Sequence, residues 1–192
     1  MPSVQTTAPT ISPISVAEAK QHLRVDHDSD NNYISSLIKV ATASAENYLR
    51  RGIMQQTRRW DGCEFPSGGW VLDLPPLVSV SSLDYTATDG STVTVGSSVY
   101  EVDTTSVPGR VYLGKDQTWP TPIESLHDAV RLSFVTGHAT SSSAVPVEYK
   151  HAIKLMVERW YEHRGEVASG SLKQMPHGVE ALLTPTRNMR FV

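Results

Sequence analysis

PISVAEAKQHLRVDHDSDNNYISSLIKVATASAENYLRRGIMQQTRRW, residues 13–60, decides the fold of this 192-residue chain. Ser15 followed by Glu18 has the S-x-x-E spacing in which each side chain satisfies a free backbone N–H at a helix start. Pro13 fixes the approach, and Ile14 stands where a hydrophobic staple residue stands. A first helix is expected near residues 16–24, with Val16, Ala19 and Leu23 on its inner face. Asp26, Asp28, Ser29 and Asp30 then make a turn rich in side chains that cap the next helix. In that second helix, near 29–51, Tyr33, Ile34, Leu37, Ile38, Ala41, Ala45, Tyr48 and Leu49 recur at three- and four-residue steps. The pattern is an amphipathic helix of about five turns at ~3.6 residues per turn. Arg50 and Arg51 suit the negative helix end, and Gly52 can take the left-handed cap conformation.

From Gln55 the period changes. Residues 55–61, 69–74, 78–86, 91–95, 99–103, 110–113 and 129–136 are short runs rich in Val, Thr, Tyr and Trp, several alternating as half-buried strands do. Pro66-Ser67-Gly68-Gly69, Pro75-Pro76, Pro108-Gly109 and Trp119-Pro120-Thr121-Pro122 punctuate them, and Asp89-Gly90 reads as the turn of a hairpin. Gly137 through Ser143 reads as a flexible exit. Helix resumes near 147–164, with Pro146 at its entry and Tyr149, Ala152, Ile153, Met156, Val157 and Trp160 on one face. Gly165 closes it, residues 166–174 read as a loop, and a short apolar helix is expected at 177–183. The fold class is α+β: a helical bundle with a β-rich insertion between its second and third long helices. The expected domains are a flexible N-terminal arm (1–12), a helical body (13–54 plus 146–183), an inserted β-rich domain (55–145) and a C-terminal tail (184–192).

Composition narrows the function classes. A chain of this length buries enough surface to fold without staples. No apolar run approaches the ~20 residues needed to cross a bilayer, so no membrane partner is expected. The N-terminus MPSVQTTAPT has neither the basic start nor the apolar core of a signal peptide. The single cysteine, Cys63, allows no internal disulfide and reads as a half-buried small apolar residue, consistent with a reducing cytoplasm. Net charge is −3, but residues 55–145 carry five basic against ten acidic side chains, and residues 146–192 seven against five. No dense basic patch of a dedicated DNA-binding protein is present.

Chemistry is scarce. The chain has no phosphate-binding P-loop, dinucleotide fingerprint, H-E-x-x-H or G-x-S-x-G. His22, Asp26 and His27 come nearest to a ligand cluster, at a spacing that suits no metal template. Asp26, Asp28 and Asp30 alternate as in a calcium loop, but positions six and twelve of such a loop would be Asn31 and Leu37 rather than glycine and glutamate. No metal, cofactor or catalytic residue is therefore expected. Trp160-Tyr161-Glu162-His163-Arg164 lacks a nucleophile. It reads better as a helix end that packs Trp160 inward and offers Tyr161 and Arg164 to a neighbouring subunit.

The wording of the chain adds to its physics. PISVAEAKQHLRVDHDSD followed by YISSLIKVATASAENYLRR resembles the opening of the tailed-phage head–tail connector (adaptor, or head-completion) family. PPLVSVSSLDY, TDG, YEVD, PGRV, WP, VRLSFVTG, VPVEYKHAIKLMVERWYEHR and PHGVEALL follow in the order used by its longer members, those with a β-rich insertion. The resemblance runs from about Pro13 to Arg187. It implies a structural virion protein at the head–tail junction, made in the host bacterial cytoplasm and assembled as a ring, usually of twelve. It further implies as partners the portal and a stopper or tail-terminator protein, with packaged double-stranded DNA passing through the lumen without sequence-specific binding. Carried over from relatives, the C-terminal segment would dock on the portal, with Arg187, Arg190 and Phe191 as anchors. Two other classes compete with this reading. A β-rich binding or adhesion module would not need three long helices sharing one core. A hydrolase would have to draw on Asp103, His127, His138 and His163, which no spacing unites.

Overall fold

The computed structural model describes residues 3–121, 127–164 and 177–189. The chain forms two compact units, one of Met1–Pro9 and Gln55–Gly137, the other of Thr10–Met54 and His138–Val192.

The second unit is helical. It contains α1 (Val16–Leu23), α2 (Asn31–Leu49), α3 (Val147–Glu162) and α4 (His177–Leu183). The capping box at α1 is complete: Ser15 Oγ accepts from the Glu18 N–H at 3.1 Å, and the Ser15 N–H donates to Glu18 Oε2 at 2.8 Å. Ile34, Ile38, Ala41, Ala45 and Leu49 of α2 are buried against Ile153, Met156 and Val157 of α3, with Ile14, Val179 and Leu183 in the same core. Each fully buried Ile, Leu or Met contributes roughly 1.5–3 kcal/mol.

Local details differ from expectation. The left-handed residue after α2 is Arg50 (φ 52°), not Gly52, and its N–H donates back to the Glu46 carbonyl. The Glu46 carboxylate then accepts from the Ile53 N–H at 2.7 Å, so the turn is held by a side chain rather than by glycine. Asp30 stands at the N-cap of α2 but makes no capping hydrogen bond. Residues 138–143 of the expected flexible exit belong to the helical unit, where Ala139 and, just beyond the exit, Val145 are buried in the core. There the His138 and Ala139 N–H groups donate to the carbonyls of Gly52 and Ile53. Gly165, the 166–174 loop, Arg190 and Phe191 lie outside the described residues.

The first unit is a β structure of β1 (Val4–Thr7), β2 (Gln56–Gly62), β3 (Trp70–Val71), β4 (Leu77–Thr86), β5 (Thr92–Thr94), β6 (Tyr100–Asp103), β7 (Arg110–Leu113) and β8 (Val130–Thr136). Five strands pair in the order β1-β2-β8-β4-β5 and three in the order β3-β7-β6, and every strand pair is antiparallel. Central strand β8 alternates strictly: Val130, Leu132, Phe134 and Thr136 are buried, and Leu132 sits opposite both Trp60 and Leu83. The β4–β5 hairpin turns at Asp89-Gly90, where Gly90 has φ 85° and Asp89 Oδ1 accepts from the Ser91 N–H. Gly69 takes φ +73°, and a Cβ there would collide with the Val111 carbonyl.

Two expectations fail in this unit. Residues 4–7 are not a free arm but an edge strand, with Val4 opposite Arg59 and Gln5 opposite Arg58. Ser3 anchors it, donating through Oγ to Asp73 Oδ1 at 2.6 Å and accepting there from Arg58 Nε at 2.6 Å. All four residues of β1 are exposed, so backbone pairing and these polar contacts hold it rather than apolar burial. Cys63 is exposed, not half-buried.

Candidate interaction site on the helical unit

The candidate subunit-contact residues Tyr161 and Arg164 converge on Asp30. The Tyr161 hydroxyl donates to Asp30 Oδ2 at 2.6 Å, and the Arg164 guanidinium donates to the same oxygen at 2.6 Å. Arg164 lies 4.4 Å from the Tyr161 ring centroid and 4.5 Å from that of Tyr33, in cation–π contact with both rings. The Tyr33 hydroxyl reaches the Trp160 carbonyl at 3.4 Å. Tyr161 and Arg164, donating to Asp30, hold its carboxyl below the usual range, and that bond raises the Tyr161 phenol. Tyr161 and Arg164 are therefore held by Asp30 of their own chain rather than free.

Of the tail residues, Arg187 is described, and it too rests on its own unit. Its guanidinium lies 4.7 Å over the Tyr48 ring. The Tyr48 hydroxyl hydrogen-bonds Thr184 Oγ1 at 2.8 Å, and the Asn188 N–H donates to the Leu49 carbonyl at 2.8 Å. Sequence reading counted Tyr33 and Tyr48 in the buried stripe of α2. Tyr33 is exposed and Tyr48 half-buried, and both serve as arginine platforms. The signal was available in their offset of about 100° per residue from the Ile34 and Leu49 positions.

The sparse candidates for chemistry disperse. His22 Nε2 lies 3.1 Å from Glu158 Oε2, while His27 Nδ1 pairs with Ser29 Oγ at 2.7 Å. Asp28 accepts from Lys20 and from the Asn31 amide. Asp103 is taken up by its own turn, accepting from the Thr105 and Ser106 N–H groups and the Thr105 hydroxyl, which keep its carboxyl far below the ordinary range. Among the described residues no group of three His, Cys, Asp or Glu side chains is placed to hold a metal, and no helix is long and apolar enough to cross a membrane.

Residues 13–72 match the family model described as phage gp6-like head-tail connector protein. No curated protein sequence matches the chain. The fold is similar to that of a chain in the neck of an empty gene transfer agent (GTA) particle computed with C6 symmetry. That match has a TM-score of 0.81 and 23% identity, and covers 100% of this chain and 98% of that one. A chain of the virion of the native GTA particle matches with TM-score 0.81 and 22% identity. One from the native neck computed with C12 symmetry matches with TM-score 0.78 and 23% identity. Both cover 100% of this chain and 98% of theirs.

Proposed function

We propose that this protein is a head–tail connector subunit: a ring component, twelve copies in the particle, between a portal and a stopper or tail-terminator protein. The observation that carries this reading is coverage. The fold agrees with that of a particle-neck chain over 100% of one and 98% of the other, so neither unit is left over for a different task. The related chains come from particles treated with sixfold and twelvefold symmetry, which favours a cyclic arrangement for this one. Packaged double-stranded DNA passes through the lumen. The net acidic character of residues 55–145, with five basic and ten acidic side chains, suits a surface past which DNA slides, since each Lys or Arg contact to phosphate would hold it.

The portal contact falls to the tail. Arg187 is committed to Tyr48, so the tail's reach to the portal rests on residues 189–192, which include Arg190 and Phe191. Ending the chain after Asn188 keeps the Tyr48, Thr184 and Leu49 contacts and isolates that role. The shortened protein should melt as the full one does yet fail to co-sediment with portal rings. Equal co-sedimentation of both would refute the tail assignment, and a full-length chain that joins no portal would refute the connector reading itself.

A further inference from the structure

The two arginine–tyrosine contacts stand at opposite ends of one helix face. Tyr33, Leu37, Val40, Ser44 and Tyr48 follow one another at four- and three-residue steps along α2, about 100° round the helix from buried Ile34, Ile38, Ala41, Ala45 and Leu49. The stripe runs ~22 Å at ~1.5 Å per residue. It carries no charged side chain, although Val40 is 54% exposed and Tyr33 36%. A solvated helix face ordinarily carries Lys and Glu. Both tyrosines are already fixed, Tyr33 by Arg164 and the Trp160 carbonyl, Tyr48 by Arg187 and Thr184, so docking on them costs little side-chain entropy. Fixed tyrosines flanked by arginines are the composition of interface hot spots.

The same unit offers a second, different apolar patch. Ile11 is 47% and Val147 77% exposed. Ile11 lies two residues before Pro13, whose carbonyl accepts from Ser142 Oγ, and Val147 opens α3, whose Lys150 Nζ donates to Ser142 Oγ. Lys150 also reaches Glu18 of α1, whereas Tyr48 at the far end of the stripe reaches Thr184, just after α4. α1 and α4 each pack on the α2–α3 pair rather than chiefly on each other. Met189 aside, these two patches hold all the exposed large apolar side chains of the helical unit among the described residues. Exposed Glu148, next to Val147, supplies an acid opposite in charge to Arg164 and Arg187, which flank the stripe.

We propose that the α2 stripe of one copy receives the Ile11–Val147 patch of the next copy, a pairing that rests on the ring reading above and assigns its interface. Two unlike patches on one folded unit are what a heterologous, ring-closing contact requires. A β-sheet edge or a foreign protein on the stripe would leave the Ile11–Val147 patch without a role.

The test begins from Cys63→Ser, because the exposed native thiol would cross-link on its own. Adding both Val40→Cys and Val147→Cys and treating with a short bis-maleimide should give a ladder of trimers and larger species on a denaturing gel. Either new cysteine alone can join only its own kind and should stop at dimers. In parallel, Val40→Glu and Val147→Glu should each weaken self-association at least ~tenfold in sedimentation, with unchanged melting. Mixed together they should restore dimers and nothing longer, since each lesion leaves one good patch. Rings seen by electron microscopy in the doubly substituted protein without the ladder would overturn this interface and leave the ring reading standing. A chain that stays monomeric and gives no ladder at any concentration would overturn both.

Discussion

Asp30 is the residue on which the two long helices of the helical unit agree. Local chemistry reserves an aspartate before a helix for capping its N–H groups. Here the carboxylate is spent instead on Tyr161 and Arg164, 131 and 134 residues away. That choice was invisible along the chain, because capping is decided by neighbours in sequence and this contact by a helix that returns much later. It has a pH signature. The folded carboxyl titrates below the unfolded value of 3.8, so its contribution is fully present above about that pH and is lost as pH falls through the folded value. Asp30→Ala should lower the melting temperature at neutral pH and flatten its fall as the pH drops below about 4. Glu18, Asp28, Asp89 and Asp103 are also depressed, so a shallower slope is expected rather than none. A variant whose melting falls with acid as steeply as the parent's would show that the Asp30 clasp is not a source of stability.

Elements were legible to the degree that one face alone decides them. The capping box at Ser15 and Glu18, the buried face of α2 and the alternation of β8 are local patterns, and all are present in the structure. β1 had no such signal: Val4-Gln5-Thr6-Thr7 buries nothing and is a strand because β2 offers it an edge. The surface stripe of α2 was folded into its core stripe, since Tyr33, Leu37 and Tyr48 are as apolar as a core position demands. Structure separates them, with Leu37 only half-buried and Ile38 2% exposed. Ile38→Ala should therefore cost about 2–5 kcal/mol through lost burial and the cavity left behind. Val40→Ala, two residues on and facing solvent, should fall within about 0.5 kcal/mol of the parent. Urea denaturation of both variants checks this, and comparable losses at the two positions would mean that the stripe is covered within the folded chain.

At the scale of the molecule, what sequence order obscured is how the two units share the chain. An inserted domain demands that the segments entering and leaving it lie side by side in the host. They do so here: Met54 pairs with Ala139 in a parallel bridge, and the Gly52 and Ile53 carbonyls accept from the His138 and Ala139 N–H groups. The helical unit thus closes its own backbone at the crossing point, and its core draws on residues from both sides of the insertion, Ile53 and Met54 with Ala139 and Val145. Among the described residues, that core takes nothing from 55–137, and the β unit has a separate core of its own around Trp70, Leu83, Leu132 and Phe134. A shortened chain in which residues 10–54 are joined to 138–192 by a few Gly and Ser residues should therefore remain helical and unfold cooperatively, because the ends to be bridged are already adjacent and loop closure over so short a span costs little. Residues 1–9 are omitted because their strand has no partner once β2 is gone. Far-ultraviolet circular dichroism with a sigmoidal melt is the expected result. A chain that is helical but melts without a transition, or that is unfolded from the start, would mean that the helical unit needs the β unit to form, and that the two cores are one folding unit despite their separate contacts.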